Sequence, residues 1–277
     1  MESQSIPDKF YIDLEHQEME YWSDYYRAAG PKVTKNCDLQ IRKIGSGIAT
    51  AAGKIDILAF NRVIGLGLDG PANESQLNEI IRFYRPTSIP RIFLQLSPKV
   101  VTDELSGLLN KQGFQYYNNW TKLYREITPI PRAKSSLRIE QIGTDQADLF
   151  ARIIIASFEW PEMVKPMVAL PVGRKGWKHY LAYHESEPVA CAACFIKGKF
   201  ASLAFAATLP DYRGLGAQSA LIARRFQDAA EAGCKWMVVE TAEDKPEHPV
   251  ASYRNLKRVG FELAYLRPNY IYYFNQT

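Results

Sequence analysis

Apolar positions along the chain switch between a helical and an extended period, and the switches define the elements. Between Pro7 and Ala29, Tyr11, Leu14, Tyr21, Trp22 and Tyr25 recur at roughly helical spacing, and Gly30-Pro31 reads as a stop. Strand-like runs follow at Leu39–Ile44, Ile48–Ala52 and Ile55–Gly67. Leu77, Ile80, Ile81 and Tyr84 keep one apolar face, which predicts a helix over Glu74–Tyr84. A strand at Arg91–Leu96 comes next, then a helix capped by Thr102 and running to about Lys111. Gly113-Phe114 opens an aromatic strand pair that reaches Ile127.

The proline-bearing polar stretch Thr128–Ser136 is the best linker candidate. Beyond it a strand at Leu137–Ile142 leads to a helix over Thr144–Ser157, then to an irregular stretch with Pro161, Pro166 and Pro171. Strands fit Trp177–His184, Pro188–Ile196 and Ala201–Thr208. Ile222, Phe226 and Ala229 give one face to a helix from Gly216 to Ala232. A strand at Trp236–Glu240, a helix at Val250–Val259 and a strand pair from Gly260-Phe261 to Phe274 close the chain. Strand, helix, Gly-Phe and aromatic strands thus occur over Arg91–Ile127 and again over Lys235–Phe274, which reads as a divergent internal repeat.

A length of 277 residues accommodates two units of roughly 130 to 140 each. With 47% hydrophobic and 23% charged residues, the chain is neither disordered, collagenous nor a coiled coil. The net charge of +4 (34 − 30) is too weak for a nucleic-acid footprint. The longest apolar run, Val189–Ile196, falls short of the roughly 18 residues of a membrane helix. Met1–Ser5 is polar and lacks a signal-peptide pattern. The expectation is a soluble, cytoplasmic protein without nucleic-acid or membrane partners. Cys37, Cys191, Cys194 and Cys234 do not suggest a disulfide scaffold. Cys191 and Cys194 lie three apart in one strand, so their thiols diverge, and no second pair at zinc spacing exists.

Chemistry concentrates in Thr208-Leu-Pro-Asp-Tyr-Arg213-Gly214-Leu-Gly216-Ala217-Gln218-Ser219. A strand ends, a proline turn follows, and glycines stand where a helix begins. Such a turn aims backbone N–H groups outward at the positive end of the helix dipole, which suits a pyrophosphate, and Arg213 adds a guanidinium. A plain tight turn would look the same. Neither a P-loop Gly-Lys-Ser/Thr nor the third glycine of a dinucleotide fingerprint is present.

In its order of elements and in two separated motifs, Leu137–Phe274 resembles the GNAT superfamily of acetyl-CoA-dependent N-acetyltransferases. The cofactor loop of that family is matched by Arg213-Gly-Leu-Gly216-Ala-Gln218, and its helix ending in Gly-Phe by Asn255–Phe261. The resemblance implies an α/β (α+β) chain of two GNAT-like domains, each a mixed, mostly antiparallel sheet flanked by helices. A degenerate copy would span 1–130 and a catalytic one 136–277. The first copy's equivalent loop, Gly67–Glu74, has no arginine, carries acidic residues and places Pro71 where a donor is wanted.

For the second copy the resemblance implies acetyl-CoA as co-substrate, without a metal, and an amine acceptor on a small molecule or peptide. Its cofactor residues would be Ala206, Ala207, Thr208, Arg213, Gly214, Gly216, Ala217, Gln218, Ser219, Ser252 and Asn255, with the Ala206–Thr208 amides also facing the oxyanion. Gln218 replaces a small residue; it would either crowd the pyrophosphate or donate to it. The tyrosine often used as general acid is Leu256 here, and Tyr253 is the substitute. Glu240 is the candidate base, and Glu159 a candidate for binding or deprotonating the amine. His248 reads as a loop residue. Arg224-Arg225 and Lys257-Arg258 read as solvated or cofactor-facing. A non-catalytic acyl-CoA-binding module and a partner-binding scaffold compete with the enzyme reading. A homodimer is compatible with all three.

Overall fold

The computed structural model describes residues 7–274. In chain order the elements are α1 (Asp8–Arg27), α2 (Pro31–Cys37), β1 (Leu39–Ile44), β2 (Gly47–Ala52), β3 (Arg62–Ile64), α3 (Glu74–Tyr84), β4 (Arg91–Gln95), α4 (Asp103–Lys111) and β5 (Gln115–Glu126). They continue with β6 (Arg138–Gln141), α5 (Ala147–Phe158), α6 (Lys165–Ala169), β7 (Trp177–His184), β8 (Glu187–Lys197), β9 (Phe200–Thr208), α7 (Ala217–Glu231), β10 (Trp236–Ala242), α8 (Ala251–Arg258) and β11 (Glu262–Tyr273). Two compact units result. One holds the described residues up to Lys122 and those from Ala264 onward, the other Leu123–Leu263. The sequence reading divides the chain at 130–136 and leaves the closing strand with the second half; by contacts, most of β11 goes with the first unit.

Within the first unit the strands lie in the order β1-β2-β3-β4-β11-β5. β3 and β4 run parallel, while β1–β2, β2–β3 and β4–β11 are antiparallel. Leu77, Ile80 and Tyr84 of α3 join Leu105 and Leu109 of α4 in its apolar core. Three expectations are corrected. Pro31 sits in the first turn of α2, where its missing N–H costs nothing, so it starts a helix as well as following the end of another. Of Ile55–Gly67 only Arg62–Ile64 is extended, because Asn61 ties the chain into turns through the Ile55 (2.6 Å) and Ile57 (3.1 Å) carbonyls. Each aromatic strand pair is one twelve-residue strand, β5 and β11.

Beneath α1 lies a buried ion cluster. Glu18 accepts two hydrogen bonds from Arg267 (2.7 and 3.0 Å) and one from Lys122, and lies 3.6 Å from Arg62. Glu15 accepts from the Tyr265 hydroxyl and lies 3.5 Å from Arg267. Arg62 stacks 4.2 Å above Trp22, and Gln95 links Arg62 to Asn269. Burial alone would raise the Glu18 carboxyl; Arg267, Lys122 and Arg62 outweigh it and hold the group well below the usual carboxylate range.

In the second unit the order is β5-β10-β9-β8-β7-β6. β9 and β10 are parallel; β6–β7, β7–β8 and β8–β9 are antiparallel. Cys191 points at the Phe150 carbonyl of α5, while Cys194 joins Leu221 and Phe226 of α7 in the core, so the two thiols do face opposite ways. His179 of β7 is 1% exposed, edge-on to Phe150 and stacked on Trp177, with no hydrogen-bond partner for either ring nitrogen. Burial pushes its imidazole down to about 3. Among the described residues no helix is long and apolar enough to cross a membrane, and no cluster of His, Cys, Asp and Glu is placed to hold a metal ion.

Candidate active site

A break in strand pairing builds the site. The β8–β9 register passes from Ala192↔Ala206 to Ala193↔Ala204, which leaves Phe205 as an extra residue at φ 25°. Such a bulge bends its strand and strengthens its twist. On its other edge β9 pairs with β10 only from Phe200 to Ser202, against Trp236 to Val238. Both strands run on, to Thr208 and Ala242, without pairing each other further. Leu209 donates to the Val189 carbonyl of β8, so by strand alternation Ala207 also faces β8, while the backbone groups of Ala206 and Thr208 face the unpaired edge and line a wedge. Nothing in the run Ala204-Phe-Ala-Ala-Thr208 announces this bulge.

At the mouth of the wedge the chain turns through Pro210–Tyr212 and enters α7. Gly214 (φ 89°) and Gly216 (φ 78°) hold left-handed conformations, and a Cβ on Gly216 would lie 2.8 Å from the Lys134 carbonyl. Gly216 is the N-cap, and no side chain caps the helix. The first-turn N–H groups of Ala217, Gln218 and Ser219 thus keep their donors for a ligand. Arg213 and Ser219 are exposed beside them. Gln218 donates its amide to Thr208 Oγ1 (2.9 Å), so it ties the head of α7 to the end of β9.

The matching turn of the first unit is built to the opposite effect. Asn73 accepts from the Gln76 N–H (3.1 Å) while Gln76 accepts from the Asn73 N–H (3.0 Å), a reciprocal cap that occupies one first-turn donor of α3 and the N–H of its N-cap. Thr102 likewise caps α4 through the Leu105 N–H (3.1 Å). The open cleft of about 560 Å³ between these caps carries Glu74 and Glu104 against Lys99. An incoming phosphate would meet one engaged amide at each helix head and two carboxylates there.

The remaining candidates gather at the end of β10 and on α8. Glu240 is half-buried on β10, and the next residue, Thr241, shares a 2.7 Å hydroxyl contact with Ser252 of α8. Tyr253 packs half-buried against the core that contains Leu256 and Phe261, and Leu256 is a buried core residue. Asn255 accepts from Arg258, one turn on. Asp244 receives the Val250 N–H (2.5 Å) and Arg254, which fixes the start of α8; His248 stays in that connecting loop. Glu159 takes part in none of these contacts. It is the exposed, left-handed (φ 54°) end of α5, between Phe158 and Trp160, whose rings stack at 5.0 Å.

The basic pair on α7 departs from expectation. Arg224 pairs with Asp228 (3.2 Å), and Arg225, 2% exposed, is neither solvated nor free for a cofactor. Arg225 and the buried Asp228 both lie on the sheet-facing side of α7, where charged residues leave no signature in hydrophobic periodicity.

Residues 148–256 match the acetyltransferase (GNAT) family model. No curated protein matches the chain significantly. Among solved structures, a GCN5-related N-acetyltransferase from Kribbella flavida is similar over 99% of this chain and 98% of its own, with TM-score 0.63 and 14% identity. A GCN5-related N-acetyltransferase from Sphaerobacter thermophilus is similar over 82% and 76%, with TM-score 0.58 and 10% identity. A tandem GNAT protein from the clavulanic acid biosynthesis pathway is similar over 78% and 75%, with TM-score 0.54 and 13% identity. At such identities the likeness is one of fold.

Proposed function

From the premise that the second unit carries an acetyltransferase-family GNAT domain, we propose that this unit is an acetyl-CoA-dependent N-acetyltransferase acting on a primary amine of a small molecule or peptide. One observation carries the reading: an uncapped helix head at α7, beside a bulged and splayed strand edge, where the first unit has closed its own helix heads. The α7 amides and Arg213 take the pyrophosphate. In this reading the unpaired N–H groups of β9 stabilise the charge that the thioester oxygen gains. Glu240, directly or through water, removes the proton of the acceptor ammonium. The amine attacks the thioester carbon, the C–S bond breaks, Tyr253 protonates the departing thiolate, and the second proton leaving the nitrogen returns through water to the Tyr253 oxygen.

Ser219→Glu separates binding from folding. A carboxylate in the first turn favours the helix, so the variant should melt at or slightly above the wild-type temperature. It also opposes the pyrophosphate. Acetyl-CoA at a hundredfold excess over Kd should stabilise the wild type by about 2.7 kcal/mol and the variant hardly at all. An unshifted wild type in thermal unfolding would sink the reading.

Tyr253→Phe keeps the packing of the ring and removes its proton. Steady-state kcat should fall about 100-fold with the melting temperature unchanged. An unchanged kcat would make Tyr253 a packing residue only. The buried Leu256 favours a second reading, an acyl-CoA-binding module without turnover, in which acetyl-CoA binds and no amine releases CoA.

A further inference from the structure

Arg225 is an expensive residue for its position. It lies on the sheet-facing stripe of α7 with Leu221 and Asp228, and it is 2% exposed. Packing alone asks for an aliphatic side chain there, as Leu221, Ile222 and Phe226 provide nearby. A buried guanidinium costs several kcal/mol unless its donors are met. Among the described residues no carboxylate meets them: Asp228, one turn on, is taken by the Tyr180 hydroxyl (2.5 Å), Arg224 and Lys178. Its hydrogen bonds go instead to two backbone carbonyls, Leu221 of its own helix (Nε, 3.0 Å) and Ala193 of β8 (Nη1, 3.2 Å).

Ala193 is the residue at which the β8–β9 register breaks around Phe205. We propose that Arg225 is a positioning residue, which staples α7 to the Ala193 carbonyl and so fixes the bulge that splays β9 from β10. The same helix presents the Ala217–Ser219 amides, about 9–12 Å along the axis from Arg225 at 1.5 Å per residue. One side chain therefore sets the spacing between the phosphate end of the site and its strand-edge end. The thiols of Cys191 and Cys194 nearby are pushed up by burial, to about 12 for Cys194, so they bring no negative charge to compete with the carbonyls. Burial also brings Arg225 down, to about 10, and it stays a cation at neutral pH.

This inference rests on the proposed function for its catalytic consequence, and its structural part is tested separately. In the full chain, Arg225→Met fills the space without the charge and should melt at or above the wild-type temperature, since apolar replacement of buried charge is often neutral or stabilising. Hydrogen exchange of the amides over 203–208 should nevertheless rise about tenfold, with β8 and α7 unchanged. Turnover of acetyl-CoA (kcat/KM) should fall roughly 100-fold, the scale of a small misplacement of reacting groups. Arg225→Lys keeps the charge without the two-carbonyl fork, and should raise the same local exchange while folding. Wild-type exchange over 203–208 in either variant overturns the assignment, as does unchanged kcat/KM in a folded Arg225→Met protein. A wild type that turns over no acetyl-CoA counts against the functional reading, while the exchange data still judge Arg225.

Discussion

Glu18→Gln should cost the first unit about 3–5 kcal/mol, the scale of removing one partner from a buried charge network. Glu18 is the common partner of Arg62, Lys122 and Arg267, and in its absence these three cations face Glu15 as the remaining carboxylate of the cluster. Glutamine preserves the shape and offers one oxygen in place of two, so the loss is electrostatic and does not come from a cavity. In a chain this long the change corresponds to a fall of roughly 10 °C in the melting temperature of that unit. Calorimetry would read it directly, and a fall below 2 °C would refute the account. Linkage adds a second signature. The Glu18 carboxyl is depressed in the folded state, so its contribution is present above the ordinary value of 4.5 and is lost as the pH falls below it.

His179 should dominate the milder acid range, where Glu18 is still silent. Its pKa is pushed from 6.5 down to about 3 by burial, so below pH 6.5 the unfolded chain binds a proton that the folded chain refuses. With more protons on the unfolded state, stability falls as the pH falls, by about 1.4 kcal/mol per unit from 6.5 toward 3. By pH 5 the loss reaches about 2 kcal/mol. His179→Phe should abolish this slope and match or exceed wild-type stability at pH 7, because both imidazole nitrogens are buried without partners. Denaturant melts at pH 7, 6 and 5 for both proteins decide it. A slope unchanged in the variant would assign the acid sensitivity elsewhere.

Local chemistry was readable where one element settles the matter alone. The apolar face of α3, the Thr102 cap of α4, the glycine head of α7 and the divergent thiols of β8 all follow from spacing of four residues or fewer. Asn118-Asn119 and Pro268-Asn269 look like turn chemistry, yet each lies inside one strand, where Asn269 exchanges hydrogen bonds with Gln95 and Asn118. That satisfaction comes from residues far away in the chain, beyond any local rule. The same holds for the Glu18–Arg267 pair, 249 positions apart, and for the Arg225–Ala193 staple, 32 apart. Of the candidate site, the glycine turn and the start of α7 were legible because glycine and helix-start chemistry is local. The bulge was not, because it is defined only by the register of β9 against β8, residues distant from Phe205 in the chain.

The membership of β11 has a consequence for synthesis. Arg267 and Asn269, which complete the ion cluster and pair with β4, are made about 170 residues after β4 itself. At roughly 5–20 residues per second, the nascent first unit waits on the order of ten seconds with Glu15 and Glu18 lacking their main cation. The second unit, Leu123–Leu263, is made in that interval and has all of its residues before the first unit does. A cut in the 130–136 linker, the natural place to divide the protein by its sequence, would accordingly deprive the amino-terminal fragment of a strand it needs.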